Sequence, residues 1–147
     1  MSDTLDTLEN ITYDELNEGD TATFTRTLTE DELVLFAAVS GDVNPVHLDS
    51  EFAAGSMFKE RIAHGMWSGS LISAALATVM PGPGTIYLEQ SLSFKRPVKL
   101  DDTLTVHLKV LRKEPKGRVV VECDVRNQNE QKVVIGEAKV IAPTEKV

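Results

Sequence analysis

Residues 65–80, GMWSGSLISAALATVM, carry no charged side chain and are apolar or small on every side. A helix of that make-up has no face to show to water, so it must be buried on most of its surface. The run stops at Pro81-Gly82-Pro83-Gly84, a cluster that no helix continues through. Gly69, Ser70, Ser73, Ala74, Ala75 and Ala77 are small enough to let a sheet approach closely. A chain built on such a rod needs other elements to wrap it.

The residues that follow read as strands. Ile86, Leu88, Leu92 and Phe94 alternate with Tyr87, Glu89, Ser91 and Ser93. Leu104, Val106, Leu108 and Val110 alternate with Thr105, His107 and Lys109, and Val119, Val121, Cys123 and Val125 do the same with Val120, Glu122 and Asp124. The breaks at Pro115-Lys116-Gly117 and at Asn127 to Glu130 suit hairpins, and a last strand runs from Lys132 to Ile141. With residues 21–27, TATFTRT, the count is five. The expected class is α+β, a curved five-stranded antiparallel sheet around a long central helix.

Ahead of that helix, Thr29-Glu30-Asp31-Glu32 forms a capping box and predicts a helix over residues 30–40, ended by Gly41. Pro45 takes Asn44 out of helical geometry, so residues 41–48 read as an irregular loop. Asp49 or Ser50 can then cap a short helix through Phe52, Ala53 and Ala54.

The length of 147 residues fits one domain, read as an acidic segment over residues 1–15 and a single domain over 16–147. Hydrophobic residues at 41% and charged residues at 26% rule out wholesale disorder and fibrous repeats. The longest apolar run, Leu33 to Val39, falls far short of a membrane span. The first twenty residues hold seven acids and no base. Neither a membrane helix nor a secretory leader is expected. Cys123 is the one cysteine, so no internal disulfide forms, cysteine-based metal clusters are excluded, and a cytoplasmic location is expected.

The net charge of −8 argues against nucleic acid as a partner. Residues 21–147 nevertheless hold 15 bases against 16 acids, a net −1. From Ser93 to Arg118, eight bases face three acids, a local +5 able to meet a small phosphorylated ligand or simply to form a solvated strand face.

Among three histidines, His107 falls on a polar strand face. His47 follows Asp42 by five residues in SGDVNPVHLD, and the turn at Asn44-Pro45 can fold carboxylate and imidazole toward one point. Such a pair can activate a water between them, although Asp and Asn in a loop also serve as caps. His64 opens the buried helix and reads as a structural imidazole fixing the helix start. Gly65 beside it allows a ligand oxygen to approach the N–H groups there, an oxyanion hole in outline. Asp42, His47 and His64 lack zinc spacing, so no metal is expected.

These residues, with Ala63-His64-Gly65-Met66, Gly84-Thr85-Ile86-Tyr87-Leu88 and Phe94-Lys95-Arg96-Pro97-Val98, closely resemble the (R)-specific enoyl-CoA hydratases of the MaoC-like, hydratase 2 group. The resemblance spans residues 16–143 and the short single-domain bacterial type. It implies a hot-dog fold, with the helix at 65–80 as sausage and the sheet as bun, and a homodimer joined edge to edge. It also implies a hydro-lyase that adds water to trans-2-enoyl-CoA and yields (R)-3-hydroxyacyl-CoA, linking fatty-acid β-oxidation to polyhydroxyalkanoate precursor supply.

By position, the resemblance makes Asp42 and His47 the catalytic pair. Asn44 holds the loop, the Gly65 N–H binds the thioester oxygen, and Ser70 hydrogen-bonds within the site. Trp67 and Leu71 are read as acyl-pocket lining, equally well explained as core. Lys95 and Arg96, with Lys59 or Arg61, are the candidates for the CoA phosphates. No cofactor beyond the CoA of the substrate is expected. The alternatives are a hot-dog acyl thioesterase, an acyl-carrier dehydratase and a non-catalytic acyl-CoA binding domain.

Overall fold

The computed structural model describes residues 8–147. Asp3 and Asp6 of the acidic segment lie outside the described residues. What is described of that segment runs against the rest of the chain: the Ile11 N–H donates to the Pro81 carbonyl at 2.7 Å and the Tyr13 N–H to that of Pro143 at 2.8 Å.

Strand β1 spans Thr21–Thr27, followed by helix α1 (Glu30–Ser40), two short helices α2 (Pro45–Leu48) and α3 (Ser50–Ala54), and the long helix α4 (Gly65–Thr78). The remaining strands are β2 (Ile86–Gln90), β3 (Ser93–Phe94), β4 (Thr103–Lys113), β5 (Arg118–Arg126) and β6 (Lys132–Ile141). They form one six-stranded antiparallel sheet in the order β1-β4-β5-β6-β2, with β3 also paired to β6. This is the hot-dog arrangement of a sheet around a central helix.

The charge-free helix occupies the place its composition demands. Trp67, Leu71, Ile72, Ala75 and Leu76 of α4 join Leu104, Val106 and Leu108 of β4 and Val119, Val121, Cys123 and Val125 of β5 in one buried cluster. Ile72 and Leu76 are within 1% of complete burial, and each such side chain contributes about 1.5–3 kcal/mol relative to leaving it in water.

Three local features differ from the sequence reading. The stretch 86–94, expected as one strand, divides into β2 and β3 because the backbone at Ser91 presses against Gly136 of β6. A Cβ on Gly136 would stand 1.9 Å from the Ser91 carbonyl oxygen. Ser91 makes up for the break by donating its N–H to the Glu137 carbonyl at 2.9 Å and accepting the Glu137 N–H at Oγ, 3.0 Å.

The loop expected over 41–48 contains a helical turn, α2, with Pro45 at its first position. Proline suits that position because its missing N–H would have no intrahelical partner. The capping box at Thr29 is half formed: Thr29 Oγ1 accepts the Glu32 N–H at 3.2 Å, but the Glu32 carboxylate accepts from Arg26 Nε at 2.7 Å instead of returning to the cap.

Candidate active site

The site assembles where α1 ends, α2 turns and α4 begins. Gly41, at φ 79°, closes α1 by donating its N–H to the Ala37 carbonyl at 2.9 Å and sends the chain into the Asp42 loop. Within the loop the Asn44 N–H donates to Asp42 Oδ1 at 3.2 Å, and Asn44 Oδ1 in turn accepts the Val46 N–H at 3.2 Å, capping α2. One turn of helix then swings His47 back toward Asp42. Asn44 therefore shapes the loop and engages Asp42 Oδ1, leaving Oδ2 as the oxygen nearest His47.

His47 Nε2 stands 3.9 Å from Asp42 Oδ2. That is too long for a hydrogen bond and short enough for one water to touch both atoms. The other imidazole nitrogen, Nδ1, lies 2.8 Å from the Ile62 carbonyl. A carbonyl can only accept, so Nδ1 carries the hydrogen and a neutral His47 presents a free lone pair at Nε2. The two side chains differ in access: that of His47 is 8% exposed and that of Asp42 52%.

Arg61 holds the backbone of this turn. Its Nε donates to the His47 carbonyl at 2.7 Å, while Nη1 and Nη2 grip the Glu30 carboxylate at 2.9 and 3.1 Å. Arg61, a candidate for phosphate from its sequence alone, is thus engaged inside the protein.

His64 precedes α4 but does not cap it with its side chain. The expectation of an imidazole fixing the helix start gives way to a different bond: Nε2 lies 2.8 Å from the Asp42 carbonyl. Its ring stacks on His47, centroids 3.8 Å apart at 26°, with Phe36 tilted against it at 5.1 Å. Asp42, His47 and His64 place three donor atoms within 4.8 Å of one another. Each ring already has one nitrogen engaged, His47 Nδ1 at the Ile62 carbonyl and His64 Nε2 at the Asp42 carbonyl.

Gly65 supplies the first N–H of α4, which has no intrahelical acceptor and lies at the positive end of the helix dipole, roughly +0.5 elementary charge. A Cβ there would meet the Phe94 ring at 3.1 Å. A cavity of about 300 Å³ opens beside it, lined by His64, Gly65, Phe94, Lys95 and Arg96 among others. Lys95 and Arg96 are exposed at its rim.

Ser70 donates Oγ–H to the Trp67 carbonyl at 2.6 Å, a bond within α4. Trp67 and Leu71 belong to the buried core and also line a cleft of about 370 Å³ with Phe24, Phe36 and Val39. Sequence reasoning missed Phe36 and the anchoring role of Arg61. Phe36 follows the helical spacing of α1 and looks like ordinary core, and Arg61 looks like a solvated base. Neither carries a local cue.

A MaoC-like domain model matches residues 15–132, and the chain belongs to that family. An (R)-specific enoyl-CoA hydratase of Rhodospirillum rubrum is 43% identical over 135 residues, 89% of this chain and 91% of the relative. The unliganded R-hydratase PhaJ1 of Pseudomonas aeruginosa superimposes with a TM-score of 0.93 at 60% identity, covering 95% of this chain and 90% of that one. The (R)-hydratase of A. caviae involved in PHA biosynthesis gives a TM-score of 0.84 at 39% identity, covering 87% of this chain and 98% of that one.

Proposed function

We propose that the protein is an (R)-specific enoyl-CoA hydratase, adding water to trans-2-enoyl-CoA to give (R)-3-hydroxyacyl-CoA. The observation that carries this reading is the water-sized interval between Asp42 Oδ2 and His47 Nε2 at the start of a buried helix. Hydration of an enoyl thioester needs a base for water, a donor for the enolate-like oxygen and an acid for the α-carbon. Asp42 and His47 divide the two proton transfers, and the Gly65 N–H receives the thioester oxygen. One water adds across one double bond, so the reaction balances without redox chemistry or a resident cofactor.

Lys95 and Arg96, exposed at the rim of the cavity beside Gly65, are assigned to the CoA phosphates. The cleft lined by Trp67 and Leu71 is assigned to the acyl chain, and Phe36 connects it to His64. Supply of polyhydroxyalkanoate precursors from fatty-acid β-oxidation, in the cytoplasm, is the proposed setting. It is supported by the likeness to the (R)-hydratase of A. caviae involved in PHA biosynthesis. No helix among the described residues is long and apolar enough to cross a membrane.

A homodimer is part of the proposal. Strand β2 lies at a sheet edge and leaves Ile86, Tyr87 and Leu88 exposed, a stretch that a second copy would cover by continuing the sheet.

The test is loss of the conjugated thioester absorbance of crotonyl-CoA on adding purified protein, with chiral analysis of the product. An (R)-3-hydroxy product is expected. Free CoA would instead mark a thioesterase, and binding without turnover a carrier domain.

A further inference from the structure

His64 is 3% exposed and occupies the N-cap position of α4, where Ser, Thr, Asp or Asn would ordinarily cap with a side chain. It makes no cap bond. Because the Asp42 carbonyl only accepts, the 2.8 Å bond fixes the hydrogen on His64 Nε2 and leaves Nδ1 of the neutral ring as a bare lone pair. That Nδ1 is buried without a partner among the described residues. An unpaired buried acceptor is destabilising, and a phenylalanine could fill the same space without one. What the imidazole supplies in return is the bond to Asp42.

That bond is the long-range support of an otherwise local loop. Residues 40–45 are exposed throughout, and the other hydrogen bonds of Asp42 go to Ser40 and Asn44, its near neighbours. His64 reaches across 22 positions to hold its main chain. The face of the same ring lies on His47, and its own residue immediately precedes the Gly65 N–H. One residue therefore bonds the main chain of the acid, stacks on the ring of the base and stands immediately before the helix proposed to bind the oxyanion.

We infer that His64 is a positioning residue: its Nε2–H and its stacked ring set the spacing of Asp42 and His47 from the Gly65 N–H. The inference rests on the reading of Asp42 and His47 as the proton-transfer pair. A misplacement of about 1 Å in such a constellation costs on the order of 10²-fold in rate.

Two variants of the full chain separate the bond from the ring. His64→Phe keeps an aromatic face and removes the donor; His64→Gln restores an N–H near the Nε2 position without the ring. For His64→Phe, kcat for crotonyl-CoA hydration is expected to fall by about 10²-fold with KM unchanged, while the melting temperature holds or rises. His64→Gln is expected to recover part of the lost kcat. Independently of any variant, 15N spectra of histidine-labelled protein are expected to show His64 as the Nε2–H tautomer with a bare Nδ1.

A His64→Phe protein as active as wild type overturns the inference. A glutamine variant no better than the phenylalanine one, or an Nδ1–H tautomer at His64, does the same. Asp42→Asn serves as the separating control: if it stays fully active, the proton-transfer reading itself has failed, whatever the His64 variants do.

Discussion

Arg61 joins the His47 turn to α1: one nitrogen donates to the His47 carbonyl at 2.7 Å while the other two clasp Glu30 at 2.9 and 3.1 Å. The arginine side chain is 13% exposed, so these bonds are shielded on the guanidinium side and open on the Glu30 side. Hydrogen bonds to charged groups contribute about 1.5–3 kcal/mol each, and the fork cannot be reproduced by an ammonium. Arg61→Lys is therefore expected to lower stability by about 1–3 kcal/mol and to reduce kcat, read by urea unfolding and by hydration rate. Equal stability in the two proteins would remove the anchoring role.

Asp42→Asn is expected to lower kcat by at least about 10²-fold, the ordinary scale of general acid–base contributions. The fold is expected to survive, because Asn retains an oxygen for the Asn44 N–H. Circular dichroism alongside the crotonyl-CoA assay checks both halves. Activity close to wild type would remove Asp42 from the chemistry.

Gly136→Ala addresses the divided strand. The new Cβ would stand 1.9 Å from the Ser91 carbonyl oxygen and 2.8 Å from its carbon, both backbone atoms that cannot rotate away. A loss of about 3 kcal/mol or more is expected from such overpacking, read as a lower urea midpoint. An unchanged midpoint would show that β2 and β3 can separate from β6 freely.

The acid limb of stability has an identifiable contributor. The Thr12 N–H first, then Lys146 and the Thr12 hydroxyl, hold the Glu15 carboxyl at about 2, below its ordinary 4.5. A depressed carboxylate stabilises the fold above its unfolded value and loses that contribution as pH falls from about 4.5 toward 2. Glu15→Gln is expected to lower the urea midpoint near neutrality, where the carboxylate contributes, and to flatten its fall across that window, so that the two proteins converge toward pH 2.

Burial pushes the Cys123 thiol up to about 11, so thiolate is scarce at neutral pH. Thiol reagents are expected to leave the native protein unlabelled and to react once per chain after denaturation. Rapid native labelling would place Cys123 outside the core.

The central helix, the strand periodicities and the SGDVNPVHLD loop were readable because each is local: charge-free composition, alternation with period two, and an acid, a turn and a histidine within one short segment. What escaped the sequence is what distant segments impose on one another. Ser91 and Gly136 lie 45 positions apart, and nothing near either announces the collision that splits the strand. His64 reads as a helix-start residue because its neighbours form the helix, while its partner is a carbonyl 22 residues earlier. Arg61 looks like a surface base until α1 brings Glu30 to it.

Helix α4 carries no charge from end to end. With Gly65 assigned to the thioester oxygen, the field there comes from fixed peptide dipoles; Gly65 is exposed in the free protein, so the bound thioester itself is what covers it from dissolved ions. The bases Lys95 and Arg96 stand in solvent, where ionic strength of about 0.15 M shortens electrostatic reach to about 8 Å. Salt should thus divide the two halves of the enzyme's work: KM climbs as capture of the charged CoA weakens, while kcat stays level.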